Sequence, residues 1–189
     1  MKFWDVLSGR TKPPSNNLDA LFALPNAALT LQVSANFAPT GKGSVCFRAA
    51  EGAAFQQAQT DVVNLLDNDD DPDVEVSTDS FGFTWLLAQQ APDDLSALVT
   101  DLHAVNTSLE TAGFAPSLLC SLVSFVDASQ RRLALVYLYK KGTFYPFAPN
   151  GPSSRDNLLE MQVRDLIKND LHLEPDLSRW MPVWGAPGL

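Results

Sequence analysis

The sequence has 189 residues, of which 46% are apolar and 19% are charged, and its formal net charge is −9. A chain of this size and apolar content can bury a hydrophobic core, so we predict a single domain spanning residues 1–189. The acidic excess disfavours nucleic-acid partners, because the phosphate backbone is repelled. No run of about 18 apolar residues occurs, so no membrane-spanning helix is expected.

The distribution of charge is more informative than its sum. Residues 49–130 contain no lysine or arginine, although they hold fourteen of the twenty-two acidic residues. The middle of the chain should therefore repel anions such as phosphate, nucleic acid and anionic lipid.

Three successive units of two strand-like segments and one helix are predicted along the chain. The strand-like segments are 27–37 and 44–49, then 74–77 and 81–88, then 118–126 and 132–139; the helices are 51–66, 93–112 and 155–171. Short helical candidates at 3–7 and 18–24 precede them, and an irregular C-terminal tail, 174–189, follows. Strands joined by short connections favour antiparallel pairing. We therefore predict an α+β fold, an antiparallel β-sheet of ββα-like units with helices packed on it, loosely analogous to secretion chaperones.

Motifs for metals and phosphate are incomplete. The acidic segment 67–73 fails as a calcium loop, because Pro72 and Thr78 stand where an EF-hand needs glycine and glutamate. The segment 41–44, Gly-Lys-Gly-Ser, lacks phosphate-loop spacing and precedes a strand, so we interpret it as a hairpin loop. His103 and His172 have no ligands at zinc-site spacing. No metal and no cofactor is expected.

No catalytic residues are predicted either, since no nucleophile motif of the GxSxG type occurs. The two cysteines, Cys46 and Cys120, lie in apolar segments. A disulfide between them is geometrically possible, but two isolated cysteines do not make a disulfide scaffold, and we expect them to be reduced, buried and structural. The start of the sequence lacks the cleavage site of a secretory signal, which favours a cytoplasmic protein.

Two segments are candidate interaction surfaces. In residues 1–12, Phe3, Trp4 and Leu7 share one helical face surrounded by basic residues, a pattern that suits the protein body, a partner or a membrane surface. The tail contains Arg179, Trp180 and Trp184, and these residue types are enriched in the cores of protein interfaces. The alternative for the tail is that both tryptophans fold back to cover the sheet or a helix.

Long stretches of the chain resemble one protein family. They are residues 18–25, 43–52 (GSVCFRAAEG), 81–85, 100–106, 133–140 (LALVYLYK), 142–147 (GTFYPF) and 174–180. Together they are similar to the actinobacterial family PspA-associated protein B. The resemblance implies a link to the phage-shock system, which protects the envelope under stress, and to a PspA-like protein and an HtpX-like membrane protease as partners. It implies no established catalytic residues.

Our hypothesis is therefore a non-catalytic adaptor or regulator of the PspA envelope-stress response, either cytoplasmic or membrane-peripheral, that acts through protein–protein interaction. The alternative is a small-ligand-binding protein or an enzyme with a site between the sheet and the helices. In that case, His103, Arg132 and Tyr139 are the first residues to test.

Overall fold

The computed structural model describes residues 17–67 and 73–189. Within this part of the chain there are four α-helices and six β-strands, accompanied by short turns of other helix types. The elements are a 3-10 helix at Leu18–Ala23, α1 at Leu24–Ala35, β1 at Ala38–Arg48, α2 at Ala53–Leu66, β2 at Glu75–Thr78, β3 at Phe83–Gln89, α3 at Leu95–Leu109, β4 at Leu118–Val126, β5 at Arg132–Leu138, β6 at Thr143–Phe147, α4 at Asn157–Ile167 and a 3-10 helix at Leu177–Arg179.

The six strands form one antiparallel sheet in the order β2-β3-β1-β4-β5-β6. β1 lies inside the sheet and pairs with β3 on one side and with β4 on the other. The helices pack on the sheet, so the predicted α+β class is confirmed.

The two faces of the sheet are covered differently. Successive strand residues point to opposite faces, and one set packs against the helices: Val45, Phe47, Val123, Phe125, Leu133 and Leu135. The opposite set lies on what we call the outer face: Cys46, Leu122, Ala134, Val136 and Tyr145. Residues 174–189, which we call the C-terminal strap, cover much of the outer face through Trp180 and Ala186.

The predicted strand at 27–37 is wrong, because most of it is the helix α1. Leu24, Ala27, Ala28 and Leu31 are buried at three- and four-residue spacing, which is the period of a helix. Pro25 stands in the first turn, where its missing N–H is not needed. The helix ends at Asn36, which adopts the left-handed conformation with φ 57°. The first predicted unit therefore has one strand instead of two.

The predicted hairpin loop at residues 41–44 is also wrong, because this segment lies inside β1. Its turn-forming residues produce a bulge, since the pairing with β4 shifts register between Pro39 and Gly43. Gly41 has φ 76°, and its carbonyl oxygen accepts the N–H of Gln90 at 2.8 Å. Glycine and proline here mark an irregularity within a strand.

Gly43 provides a test of how closely α3 packs on β1. A Cβ added at Gly43 would lie 2.9 Å from the carbonyl oxygen of Leu122 and 3.0 Å from Cδ1 of Leu102. We expect Gly43→Ala to lower the free energy of unfolding by about 1–3 kcal/mol in urea denaturation. The matched control is Ser44→Ala on the outer face, where the buried hydroxyl has no hydrogen-bond partner among the described residues, so little should change. Equal stability of the two variants would contradict this packing.

Candidate interaction surfaces

Charge is distributed unevenly across the sheet. Residues 49–130, which lack lysine and arginine, form α2, β2, β3, α3 and β4. Except for Lys42 and Arg48, the described lysines and arginines all come after residue 130, on β5, the turn that follows it, α4, the loops beside these elements and the strap. Because β2 and β6 are the opposite edges of the sheet, the elements near β2 carry acidic residues without lysine or arginine, whereas the β6 side carries most of the described basic residues together with acidic ones such as Glu160 and Glu174.

The two edge strands differ in what covers them. At β6, the N–H of Phe144 donates to the carbonyl of His172 at 2.9 Å, and the N–H of Glu174 donates to the carbonyl of Phe144 at 2.8 Å. That edge is therefore occupied by the chain that leads into the strap. At β2, all four residues are exposed, and within residues 17–67 and 73–189 its only strand partner is β3. β2 is thus an open edge.

The register of β2 shows which backbone groups face outward. The N–H of Asp79 donates to the carbonyl of Phe83 at 2.9 Å, and hydrogen-bonded pairs alternate along an antiparallel ladder. Ser77 and Glu75, two and four residues earlier, therefore direct their backbone groups to β3. The N–H and C=O groups of Val76 and Thr78 point away from β3, toward a side on which no further strand lies among the described residues.

Acidic and apolar side chains surround this open edge. Asp73, Glu75 and the exposed β2–β3 turn carry the charge, while Val76 is 41% and Phe81 is 82% exposed. Among the described residues, no lysine or arginine forms an ion pair with Asp73, Glu75 or Asp79. We define the acidic edge as residues 73–81. Within residues 17–67 and 73–189, it combines acidic side chains that have no lysine or arginine partner, exposed apolar groups and backbone N–H and C=O groups that point away from β3.

Asp79 organises the turn at one end of the acidic edge. Its Oδ1 accepts the N–H groups of Phe81 at 2.8 Å and Phe83 at 3.0 Å, and its Oδ2 accepts the indole N–H of Trp85 at 2.9 Å. Burial alone would raise the pKa of Asp79, but these hydrogen bonds hold the pKa below its ordinary value. The carboxylate stays ionised and fixes the turn beside the open strand.

The strap contains the tail residues that the sequence singled out, and the structure buries one of them. Trp180 is only 4% exposed, and its ring stacks on Tyr145 with the centroids 5.9 Å apart. Its indole N–H donates to the carbonyl of Glu174 at 3.0 Å, and the Tyr145 hydroxyl donates to the carbonyl of Met181 at 2.7 Å. For Trp180 the structure therefore agrees with the alternative in which the tail folds back on the sheet.

Arg179 and Trp184 remain partly accessible. Arg179 bonds through Nη1 to Oε1 of the buried Glu174 at 3.1 Å, with 46% of its side chain exposed. Trp184 is 39% exposed, and its indole N–H donates to the carbonyl of Ser154 at 3.2 Å. Its ring meets Phe147 edge-on at 5.9 Å. The structure thus places the three residues on one strap but gives them different surroundings.

Two buried carboxylates, each paired with an arginine, hold the strap. Glu174 is 2% exposed and accepts the hydroxyl of Thr143 at 2.8 Å in addition to Arg179. Arg155 contacts both carboxylate oxygens of the buried Glu160, at 2.9 and 3.0 Å, and donates to the carbonyl of Trp180 at 2.7 Å. These contacts satisfy charges that would otherwise be costly to bury.

The residues named for a small-ligand or catalytic site do not come together. Nε2 of His103 lies 3.2 Å from Oδ1 of Asp19, on the outside of α3. Nη1 of Arg132 donates to the carbonyl of Leu189 at 2.7 Å. Tyr139 is buried just past the other end of β5, about 23 Å from Arg132 at the usual rise of a strand. A cleft of about 720 Å³ lies beside Arg131, Arg132 and Trp184, at the edge of the strap.

Several sequence predictions fall outside the described residues. Phe3, Trp4 and Leu7 belong to residues 1–16, and most of the acidic segment 67–73 belongs to residues 68–72. Within the remainder of the chain, no group of three or more His, Cys, Asp or Glu side chains is arranged to hold a metal ion. The described helices also include none with the length and apolar character required to cross a membrane.

Sequence reasoning missed the open edge itself. It identified 74–77 as a strand and found that residues 49–130 are acidic and lack lysine and arginine. The order of strands in a sheet, however, is not visible in one sequence. The available signal was the short length of β2 and its charged neighbours, which are typical of edge strands.

Truncating Trp180 tests whether the strap is part of the core. We expect Trp180→Ala to lower the free energy of unfolding by about 3–5 kcal/mol, because a buried indole and its stacking contact are lost. Trp184→Ala is the matched control and should lower the free energy of unfolding by about 1 kcal/mol, since that ring is partly exposed. Urea denaturation measures both. Similar losses in the two variants would show that the strap does not pack as described.

Glu174 makes the strap sensitive to acid. Burial alone would raise its pKa, but the Thr143 hydroxyl, the Asp176 N–H and Arg179 together hold the pKa below the ordinary value of 4.5. A carboxylate whose pKa is lowered on folding stabilises the protein above its unfolded pKa, and this stabilisation is lost as the pH falls through the folded pKa.

Urea denaturation at about pH 7 and about pH 3 should therefore show wild type more stable than Glu174→Gln at neutral pH only. The difference in free energy of unfolding between wild type and Glu174→Gln should shrink in acid. A difference in free energy of unfolding that stays constant with pH would contradict the role given to the Glu174 charge.

Comparison with known proteins matches the chain to a family model. The family model described as PspA associated protein B matches residues 1–188. No curated protein matches the chain, and no solved structure does. The analogy with secretion chaperones therefore remains a prediction.

Proposed function

This chain belongs to the PspA associated protein B family, and we propose from that membership that it is a non-catalytic adaptor of the PspA system. In this proposal it acts in the cytoplasm during envelope stress by binding a PspA-like protein. The family resemblance names an HtpX-like membrane protease as a second candidate partner. Binding to PspA brings the protein to the membrane indirectly.

The observation that carries the proposal is the acidic edge. A partner segment in extended conformation can lie beside β2 and add a seventh strand, using the outward N–H and C=O groups of Val76 and Thr78. The exposed side chains of Val76 and Phe81 offer apolar contact on the same surface. Backbone pairing supplies affinity, and the side chains supply selectivity.

Charge favours one class of partner segment. The acidic residues that flank the open strand lack cationic partners among the described residues. A segment carrying lysine or arginine alternating with apolar residues complements this edge, whereas a second copy of the same acidic strand is repelled. The proposed occupant is therefore a basic, extended segment of the PspA-like protein.

The test removes one outward hydrogen-bond donor. Val76→Pro deletes an N–H that points away from β3, a position where an edge strand tolerates proline. Val76→Thr is the matched control, because it keeps the N–H and the β-branched shape. We expect Val76→Pro to weaken binding to the PspA-like protein from the same organism about tenfold, and Val76→Thr to bind like wild type.

Biolayer interferometry measures these affinities, and circular dichroism checks that each variant folds. Glu75→Lys should also weaken binding, and added salt should reduce the affinity of wild type, since the attraction is partly electrostatic. Wild-type affinity in Val76→Pro would contradict the edge as the binding surface. A wild-type protein that binds no PspA-like protein would contradict the adaptor role itself.

A further inference from the structure

The only two cysteines of the chain are direct neighbours in the sheet. Cys46 of β1 is paired with Cys120 of β4 in the antiparallel register. Both are free thiols. Directly opposed residues in an antiparallel pair point to the same face, so the two sulfhydryl groups meet on the outer face. Seventy-three residues separate them in sequence, so the strand pairing is what brings them together.

The backbone spacing suits a disulfide without rearrangement. Opposed residues of antiparallel strands have Cα atoms about 4.5–5.5 Å apart. A disulfide is formed across Cα separations of about 4.4–6.8 Å. β1 and β4 are internal strands held on both sides by neighbours, so the two residues are held opposite each other, next to the register shift that follows Cys46.

The two thiols differ in accessibility and in chemistry. Cys46 is 3% exposed and packs beside Trp85, whereas Cys120 is partly exposed. A hydrogen bond with Cys120, together with burial, raises the pKa of the Cys46 thiol well above its ordinary value. Cys46 therefore stays protonated, and Cys120 is the thiol that a small oxidant reaches first.

We propose that Cys46 and Cys120 form an oxidisable cross-strand dithiol that reacts with hydroperoxides and closes to a disulfide within the sheet. This site is independent of the proposed partner binding. It is a modification site in which Cys120 is attacked first and Cys46 resolves the product.

The reaction balances with a hydroperoxide as the oxidant. The Cys120 thiolate attacks one peroxide oxygen, the O–O bond breaks and, with hydrogen peroxide, hydroxide leaves, so that Cys120 becomes a sulfenic acid. The Cys46 sulfur then attacks the Cys120 sulfur, the S–O bond breaks and the S–S bond forms. The Cys46 proton leaves with the hydroxyl group as water. The two thiols lose two electrons in total, and hydrogen peroxide is reduced to two waters.

The expected result is an intramolecular link in the full-length wild-type protein. The reduced protein is treated with hydrogen peroxide, and free thiols are then alkylated. Mass spectrometry should find both cysteines protected from alkylation, a peptide pair joined through Cys46 and Cys120, and recovery of both thiols after dithiothreitol. The link closes a long loop between two internal strands, so the thermal midpoint of the oxidised protein should rise by about 5 °C or more.

The order of attack is tested with two matched variants. In Cys46→Ser, Cys120 should accumulate as a sulfenic acid that dimedone traps. In Cys120→Ser, the buried Cys46 should remain a thiol under the same conditions. Trapping on Cys46 instead would overturn the assigned order.

If a variant fails to fold, the wild-type protein alone still tests the proposal. Cysteines that remain alkylatable after peroxide, that oxidise to sulfinic acid, or that link two chains to each other would each overturn the intramolecular dithiol.

Discussion

The sheet is apolar on both faces, and the rest of the fold depends on covering both. Neighbouring residues of β4 show this directly: Val123 packs against the helices and Leu122 against the outer-face cluster, and each is 1% exposed. An antiparallel sheet commonly leaves one face to water. Here the helices cover one face, so the other requires a second layer. The strap is that layer, and its irregular backbone is anchored by side-chain hydrogen bonds to its carbonyls.

Charge has two distinct uses in this molecule. Glu174 of the strap and Glu160 of α4 have buried carboxylates, and each is paired with an arginine. Around β2 the carboxylates are solvated and lack such partners among the described residues. The arginine–carboxylate pairs fix the position of the strap on the sheet. The solvated carboxylates leave an unbalanced potential beside an open strand, which is how a surface favours a partner of opposite charge.

The sequence predicted most elements and the antiparallel sheet with helices packed on it, but not the order of the strands in that sheet. The stripes of α2, α3 and α4 and the apolar runs of β3, β4 and β5 appear at the predicted places because their periodicity is strong. α1 was missed because its alanines and Val33 give a weak apolar helical pattern, which is also compatible with a strand. The bulge of β1 was missed because Pro39 and Gly41 resemble a turn. Burial of Trp180 was left open, since composition alone does not separate an interface from a folded-back tail. The open edge and the cysteine pair depend on strand order, which forms only on folding.

The strap also has a consequence for how the protein is made. A ribosome synthesises the chain from its N-terminus, so all six strands emerge before residue 174. Until the strap and Trp180 follow, the nascent sheet exposes the apolar outer face, including Val136, Tyr145 and Phe147. Domains in this state associate readily with other apolar surfaces. Emergence of the strap is therefore the step that first covers the outer face, and premature termination upstream of residue 174 leaves that face open to aggregation.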